Sequence, residues 1–259
     1  MAVSTTNVDQ QLPREMQLHT YSIMRRVEDT HWWFVGRRQI IQSFLAQICA
    51  KLETDRPHIL DVGCGTGANL EMLRGFGDPE GVDVSPEALV FCRERGLENV
   101  RQGEAERLPF ADSSFDIVTA LDVLEHLDDD VGGLREMGRI LQPGGRLLLF
   151  VPAFMFLWGS QDDVSHHRRR YTLSGLRDVV QKSGLVVERA TYANITLFAP
   201  ILLGRLFMRV TGLRPASENN ISVGPLNGVL GQILGAEGAL LKSLNLPFGV
   251  SAICVARRP

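Results

Sequence analysis

Cysteine is scarce in this chain: Cys49, Cys64, Cys92 and Cys254 form no CxxC pair and have no histidine spacing suited to zinc. Their scatter argues against a disulfide framework and fits reduced thiols in a cytoplasmic protein. No charge of one sign dominates, since 27 basic and 30 acidic residues leave a formal net charge of -3. Nothing in that balance calls for a nucleic acid partner. Long apolar runs are missing too. The longest, "ANITLFAPILLG" from Ala193 to Gly204, is too short to span a bilayer and contains Pro200. The opening "MAVSTTNVDQQL" is polar, lacks the apolar core of a secretory signal, and reads as a loose tail. Repeats and low-complexity tracts are absent.

What the chain does have is alternation of apolar runs with helical stripes. Residues 13–53 carry helical periodicity, broken around "HWWFVGRR". A first strand, His58 to Asp61, ends on glycines, and a helix follows through Leu70 and Leu73 to Gly75. A second strand ends at "GVDVS", where Ser85 can cap free backbone N–H groups and Pro86 suits a first helical position. A third covers about Asn99 to Gln102, and "FDIVTAL", Phe115 to Leu121, is a fourth. Asp128, Asp129 and Asp130 favour a helix start, continued by the stripe Val131, Leu134, Met137 and Leu141. "PGG" closes that helix before a fifth strand, "RLLLFV". Thr172 can cap a further helix, and "LVVERATY" and "GVSAICVARR" are the sixth and seventh strands. Such strands predict an α/β fold with a mostly parallel sheet covered on both faces. Ligands in these sheets bind at strand carboxyl ends where strand order reverses, so the glycines, Asp83 and Leu121 are expected to line one crevice.

The glycines of "HILDVGCGTGANL" discriminate among ligands. A dinucleotide site has the spacing GxGxxG, whereas Gly63, Gly65 and Gly67 alternate, and the lysine of a triphosphate loop is missing. Cys64 keeps the turn's side chains small. Asp61 ends the first strand where a phosphate would otherwise sit. A carboxylate there opposes an anion and suits a cation such as an ammonium or a sulfonium. Asp83, ending the second strand, is placed to accept hydrogen bonds from a ribose diol.

The segments "LDVGCGTG", "GVDVS", "GEAERLPF", "FDIVTALDVLEHL" and "LQPGGRLLLFVP" resemble, in order and spacing, the class I S-adenosylmethionine-dependent methyltransferases of the type 11 and UbiE/UbiG-like kind, over roughly residues 58–152. The resemblance implies a Rossmann-like seven-stranded sheet with its last strand antiparallel, and S-adenosyl-L-methionine as cofactor. It implies that Gly63, Cys64, Gly65 and Gly67 let backbone approach the cofactor, with Asp61 near its ammonium. Asp83 and Val84 fall at the ribose, Glu104 and Ala105 at the adenine, and Leu121 and Asp122 close over the cofactor. Glu104 stands where the family often has aspartate.

Methyl transfer from a sulfonium asks mainly for alignment and exclusion of water; it requires no metal, and the sequence indicates none. An aliphatic hydroxyl acceptor gains from a general base, for which His126, His166 and His167 are the candidates, His126 and His167 foremost. His126, at a helix entry, reads equally as a structural hydrogen-bonder. "DDVSHHRRRY", Asp162 to Tyr171, resembles a D-[DE]-x-x-x-H-x-R-R-Y segment of a methyltransferase subgroup associated with glycan, lipid or natural-product pathways. Arg169, Arg170 and Tyr171 there either face an anionic substrate or anchor the loop against its aspartates. "EDTHWWFVGRR" also occurs in that subgroup. It reads as helix packing or as a lid placing His31 or Trp32 on the acceptor.

About 55 residues, Ala193 to Pro247, separate the last two strands and hold two apolar helical stretches, Thr196 to Val210 and Leu226 to Leu244, around the polar turn "RPASENN". They suit a pocket roof, a dimer interface, or a membrane contact with Arg205, Arg209 and Arg214 at head groups. The expected organisation is a helical extension at 1–57, a cofactor-binding core at 58–192, a helical cap at 193–248 and a last strand at 249–259. The expected protein is a monomeric or homodimeric small-molecule methyltransferase acting on oxygen or nitrogen, without nucleic acid. The alternatives are a lipid-linked or quinone-like acceptor met at a membrane surface, and a non-catalytic cofactor-binding scaffold.

Overall fold

Seven apolar segments pair into one sheet: β1 (His58–Val62), β2 (Asp78–Asp83), β3 (Val100–Gln102), β4 (Phe115–Leu121), β5 (Leu141–Pro152), β6 (Val186–Ala193) and β7 (Ser251–Arg257). The computed structural model describes residues 18–212, 224 and 226–259. The expected tail, the start of the first helical stretch at 13–17, the turn "RPASENN" and Arg214 lie outside the described residues.

The strand order is β3-β2-β1-β4-β5-β7-β6, with β7 antiparallel to both neighbours and the other pairings parallel. This is the mostly parallel, Rossmann-like sheet with an antiparallel last strand. From β1 the chain runs outward through β2 and β3, then returns to β4 on the other side. The order therefore reverses between β1 and β4, and their carboxyl ends open a crevice. The central strands are buried almost throughout, because helices cover them; Ile59, Leu60, Ile117, Val118, Leu147 and Leu149 have essentially no exposed surface.

The helices are α1 (Leu18–Val27), α2 (Trp32–Cys49), α3 (Ala68–Leu73), α4 (Pro86–Glu94), α5 (Asp130–Ile140), α6 (Ser160–Val164), α7 (Leu173–Lys182), α8 (Phe198–Thr211) and α9 (Leu226–Leu240). Their starts follow local chemistry. Ser85 Oγ accepts from Ala88 N with Pro86 at the first position, Asp129 accepts from Gly132 N, and Thr172 accepts from Gly175 N.

Two boundaries differ from expectation. The helical break falls on Glu28–His31, ahead of the aromatic cluster, so Trp32 to Arg38 belong to α2; a ring nitrogen of His31 accepts from Trp33 N at 3.3 Å and caps the helix. And β5 starts at Leu141, before "PGG", because Leu141 pairs with Phe115 ahead of a register shift.

Along α2, Ile40, Ile41, Phe44, Leu45 and Ile48 are buried, each worth about 1.5–3 kcal/mol relative to exposure. Helix α9 packs on α2, and glycines allow it: a Cβ at Gly36 would lie 2.7 Å from Leu234 Cβ and 2.9 Å from Gly231 O. The helices before and after the core are thus one packed unit. Among the described residues no helix is long and apolar enough to cross a membrane.

Candidate functional site

The turn after β1 has three left-handed residues at alternate positions, Gly63 (φ +69°), Gly65 (φ +53°) and Gly67 (φ +89°). Only glycine takes such angles without strain. A Cβ at Gly63 would meet Val123 Cγ2 at 2.5 Å, and one at Gly67 would meet Leu97 Cδ1 at 2.6 Å. A Cβ at Gly65 would meet nothing within 4 Å. Gly65 is therefore where bare backbone faces open space. The turn is held by Asp83, whose Oδ2 accepts from Gly65 N at 2.8 Å and whose Oδ1 accepts from Ser85 N at 2.9 Å.

Asp61 is buried at the end of β1. Its Oδ1 accepts from Thr119 Oγ1 at 2.6 Å, while its Oδ2 is buried without a hydrogen-bond partner. Burial pushes its carboxyl up to about 7, partly offset by the Thr119 hydrogen bond and the nearby Arg37. An orphaned, reluctantly charged carboxylate gains from a donor carrying positive charge.

A cavity of about 420 Å³ opens on this turn. Gly63, Cys64, Gly65, Asp83 and Val84 line it, with Glu104, Ala105, Leu121 and Asp122. So do His126, His167 and Arg170, along with His31 and Trp32. Ile201 and Arg205 of α8 join the wall. Four expected residues stand outside it: Asp61, Gly67, Arg169 and Tyr171.

The last two are corrected by their contacts. Arg169 donates to Asp130 Oδ2 at 2.9 Å and to the Leu127 carbonyl, and the Tyr171 hydroxyl donates to the same Asp130 oxygen at 2.8 Å. Both tie the loop to the start of α5. Arg170 lines the cavity, yet it forms a two-pronged pair with Asp162 at 2.8 and 2.9 Å. Arg205 is likewise buried in the wall rather than presented outward, and its guanidinium fills the place of a Cβ at Gly159.

Asp162 also meets His167 Nδ1 at 2.8 Å and accepts from Gly159 N at 2.7 Å. Burial alone would raise its carboxyl; the hydrogen bonds from His167 and Arg170 outweigh that and hold it down at about 2. An ionised Asp162 only accepts, so His167 Nδ1 is the donor in this contact and Nε2 is the nitrogen turned away from it. His126 stacks edge-on against His167, with ring centroids 4.7 Å apart, and burial pushes it down to about 3. It is a neutral imidazole and a weak base here. Beside His167, Glu125 is fully buried, with His167 Nε2 3.8 Å from its Oε1.

Sequence reasoning passed over Arg37, Glu28 and Glu125. Arg37 Nη2 pairs with Asp122 Oδ2 at 2.8 Å, and its guanidinium stands 4.7 Å over the Phe150 ring. One signal for it was available: Arg37 shares the helical stripe of Ile41 and Phe44, where a charge needs a buried partner. Glu28 accepts from Thr66 Oγ1 and Arg95 Nη2, each at 2.6 Å, and so ties the α1–α2 junction to the glycine turn.

Residues 60–149 match the family described as Methyltransferase domain, Methyltransf_11. The chain is similar to a probable S-adenosylmethionine-dependent methyltransferase of Mycolicibacterium smegmatis, 26% identical over 70% of this chain and 69% of that one. It is similar also to the ubiquinone biosynthesis O-methyltransferase of Xanthomonas oryzae pv. oryzae, 34% identical over 40% of this chain and 47% of that one. The chain thus spans less than half the length of several of its curated relatives. In fold it is similar to a Haloferax volcanii protein, described as a methyltransferase and solved in complex with the Trm112 methyltransferase activator. That likeness has 19% identity and a TM-score of 0.59 over 93% of this chain and 95% of that one.

S-adenosylmethionine fits the residues present: bare backbone at Gly65 and the Asp83 carboxylate at the end of β2 line the cavity, and Asp61, outside the lining, sets a buried carboxyl with one orphaned oxygen at the end of β1. The matched domain, the strand order and this turn agree: residues 60–149 carry a methyltransferase domain on a Rossmann-like, seven-stranded sheet whose glycine turn suits S-adenosylmethionine.

Proposed function

We propose that the protein transfers a methyl group to an oxygen or nitrogen of a small, largely apolar acceptor. One observation carries this reading: a single cavity joins the glycine turn and Asp83 to His126 and His167. Donor and acceptor halves share one enclosure, as in-line displacement requires.

S-adenosylmethionine supplies a methyl group on a sulfonium whose thioether departs neutral. Around it, Gly63, Cys64 and Gly65 give close backbone approach, Gly67 lets the turn pack against Leu97, and Asp61 supplies negative charge for the ammonium from outside the cavity lining. Asp83 and Val84 hold the ribose, Glu104 and Ala105 border the adenine, and Leu121 and Asp122 close the crevice. On the acceptor side Trp32, Trp33 and Phe34 of α2 and Ile201 of α8 exclude water. His167, with its Nδ1 proton held by Asp162, is oriented to take the acceptor's proton at Nε2. His126 contributes as a neutral neighbour. The cap at 193–248 serves as a roof over an apolar acceptor, supported by Ile201 and Arg205 in the cavity wall. The free cysteines suit a cytoplasmic setting.

A second reading, a lipid-linked or quinone-like acceptor reached at a membrane surface, is favoured by the outer face of α8. Leu203, Phe207 and Val210 there are 60% exposed or more. The name of the Xanthomonas relative is consistent with an O-methylated quinone-type acceptor.

Incubation with radiolabelled S-adenosylmethionine and acceptor extracts divided by polarity tests both readings. Label in the organic-soluble fraction supports an apolar acceptor, and loss of that label in His167→Gln supports the base. Tight binding of S-adenosylhomocysteine without transfer to any fraction makes the protein a scaffold and ends the proposal.

A further inference from the structure

We propose that Glu125, His126 and His167 form a site for one divalent transition-metal ion in the wall of the cavity. Each offers one ligand atom, and the three atoms lie within 4.8 Å of one another. Around a bound ion such atoms sit roughly 3–4 Å apart, so side-chain movements of about an ångström close the set.

Three observations point to a cation there. First, Glu125 has no exposed surface, and neither of its carboxylate oxygens has a hydrogen-bond partner. A carboxyl so placed stays ionised only beside a positive partner and is otherwise protonated. The nearby arginines are engaged elsewhere, Arg37 on Asp122 and Arg170 on both oxygens of Asp162. Second, Asp162 holds His167 Nδ1 at 2.8 Å and turns Nε2 toward Glu125, the carboxylate–histidine support that metal-ligating imidazoles receive. Third, His126 packs edge-on against His167, with ring centroids 4.7 Å apart, so a second imidazole stands beside the first.

Two imidazoles and one carboxylate suit zinc, cobalt, manganese or ferrous iron, and not an all-oxygen calcium cage. Three protein ligands leave coordination positions open, and both histidines line the cavity. This use of the site rests on the cavity's acceptor side being where the substrate binds. The acceptor class it selects is an oxygen compound, a hydroxyl or adjacent pair of hydroxyls that ligates the ion and, made more acidic there, gives its proton to solvent water before methyl transfer. His167 Nε2 is then a ligand in place of the base role given to it above.

The purified full chain, stripped with a chelator, is titrated with Co²⁺ alone and followed by its visible absorption. One equivalent is expected to bind, about 100-fold more weakly in Glu125→Gln and His167→Gln, and about 10- to 100-fold more weakly in Asp162→Asn. His166→Gln is expected to bind as the parent does. Calorimetry with S-adenosylhomocysteine checks the fold of each variant. Should Glu125→Gln fail that check, His126→Gln, at a part-exposed position, decides, and must weaken Co²⁺ comparably. No uptake by the parent, or equal uptake by all variants, overturns the site. If S-adenosylhomocysteine still binds then, Glu125 is simply a protonated acid beside His167, and the methyltransferase reading stands. If Co²⁺ binds but S-adenosylhomocysteine does not, that reading fails and the metal site survives.

Discussion

Arg37 Nη2 lies 2.8 Å from Asp122 Oδ2, joining a helix before the core to the residue that follows β4. Asp122 holds a left-handed conformation, φ +63°, that a non-glycine residue adopts only when its surroundings impose it. Arg37→Met keeps the bulk and removes the charge. It is expected to cost about 1–3 kcal/mol in urea denaturation. It also frees the loop at Asp122, so the affinity for S-adenosylhomocysteine falls with it.

The three glycines are expected to respond differently to alanine. Gly65→Ala places a methyl in open space, so the protein folds with a strain of about 1–2 kcal/mol. Its affinity for S-adenosylhomocysteine, however, drops at least about tenfold, the equivalent of ~1.4 kcal/mol. Gly63→Ala and Gly67→Ala collide with Val123 and Leu97 and lower the melting temperature well beyond Gly65→Ala. Thermal melts and calorimetry on the three variants separate the outcomes; equal melting temperatures would contradict the packing described.

Asp61 makes the ligand-free protein pH-sensitive in an unusual direction. Its folded carboxyl titrates at about 7, against about 3.9 when unfolded. Between those values the folded chain keeps a proton that the unfolded chain has released, so this residue's contribution to stability falls as pH rises from about 4 to about 7 and is flat above. The stability difference between the parent and Asp61→Asn, from urea midpoints at pH 5 and pH 8, is expected to shift toward the variant at the higher pH. A cationic ligand reverses the preference. Affinity for S-adenosylhomocysteine is expected to weaken as pH falls below about 7, with a buffer-dependent heat from the released proton.

Glu28 holds Thr66 and Arg95, and the Arg95 side chain is 6% exposed. Glu28→Ala leaves a buried guanidinium with the Thr66 carbonyl and its more exposed carboxylate partners, Asp29 and Glu71. A loss on the order of 3 kcal/mol is expected. Glu28→Gln retains the Thr66 contact and is expected to lose less. Protease cleavage near residues 27–31, faster in Glu28→Ala and slower again with S-adenosylhomocysteine, reads the same link.

Elements whose causes are local were legible from residues alone. "FDIVTAL" is β4 from end to end, and Ser85, Asp129 and Thr172 begin helices because their side chains satisfy backbone N–H groups a turn away. The glycine turn was equally readable, since alternate left-handed positions and small side chains leave few alternatives. Features whose partners are distant in the chain were not. Nothing near Glu28 announces Arg95, and nothing in "LEHL" announces His167, which reaches Glu125 only because a loop after β5 folds back over the end of β4. Arg169 and Arg170 illustrate the same limit. Adjacent and chemically identical, they differ in whether they line the cavity, and that depends on Asp130 and Asp162 rather than on any spacing.

The packing of α9 on α2 has a consequence for how such a protein diversifies. Gly36 permits the approach of Leu234, so neither helix can change its contour without the other adjusting in step. The contour of α2, which carries Trp32, Trp33 and Phe34 into the cavity wall, is then inherited together with a helix almost two hundred residues away in the chain. A graft of α2 alone onto a relative would carry a keel without its hull, and only a double transplant would keep that wall in its present shape.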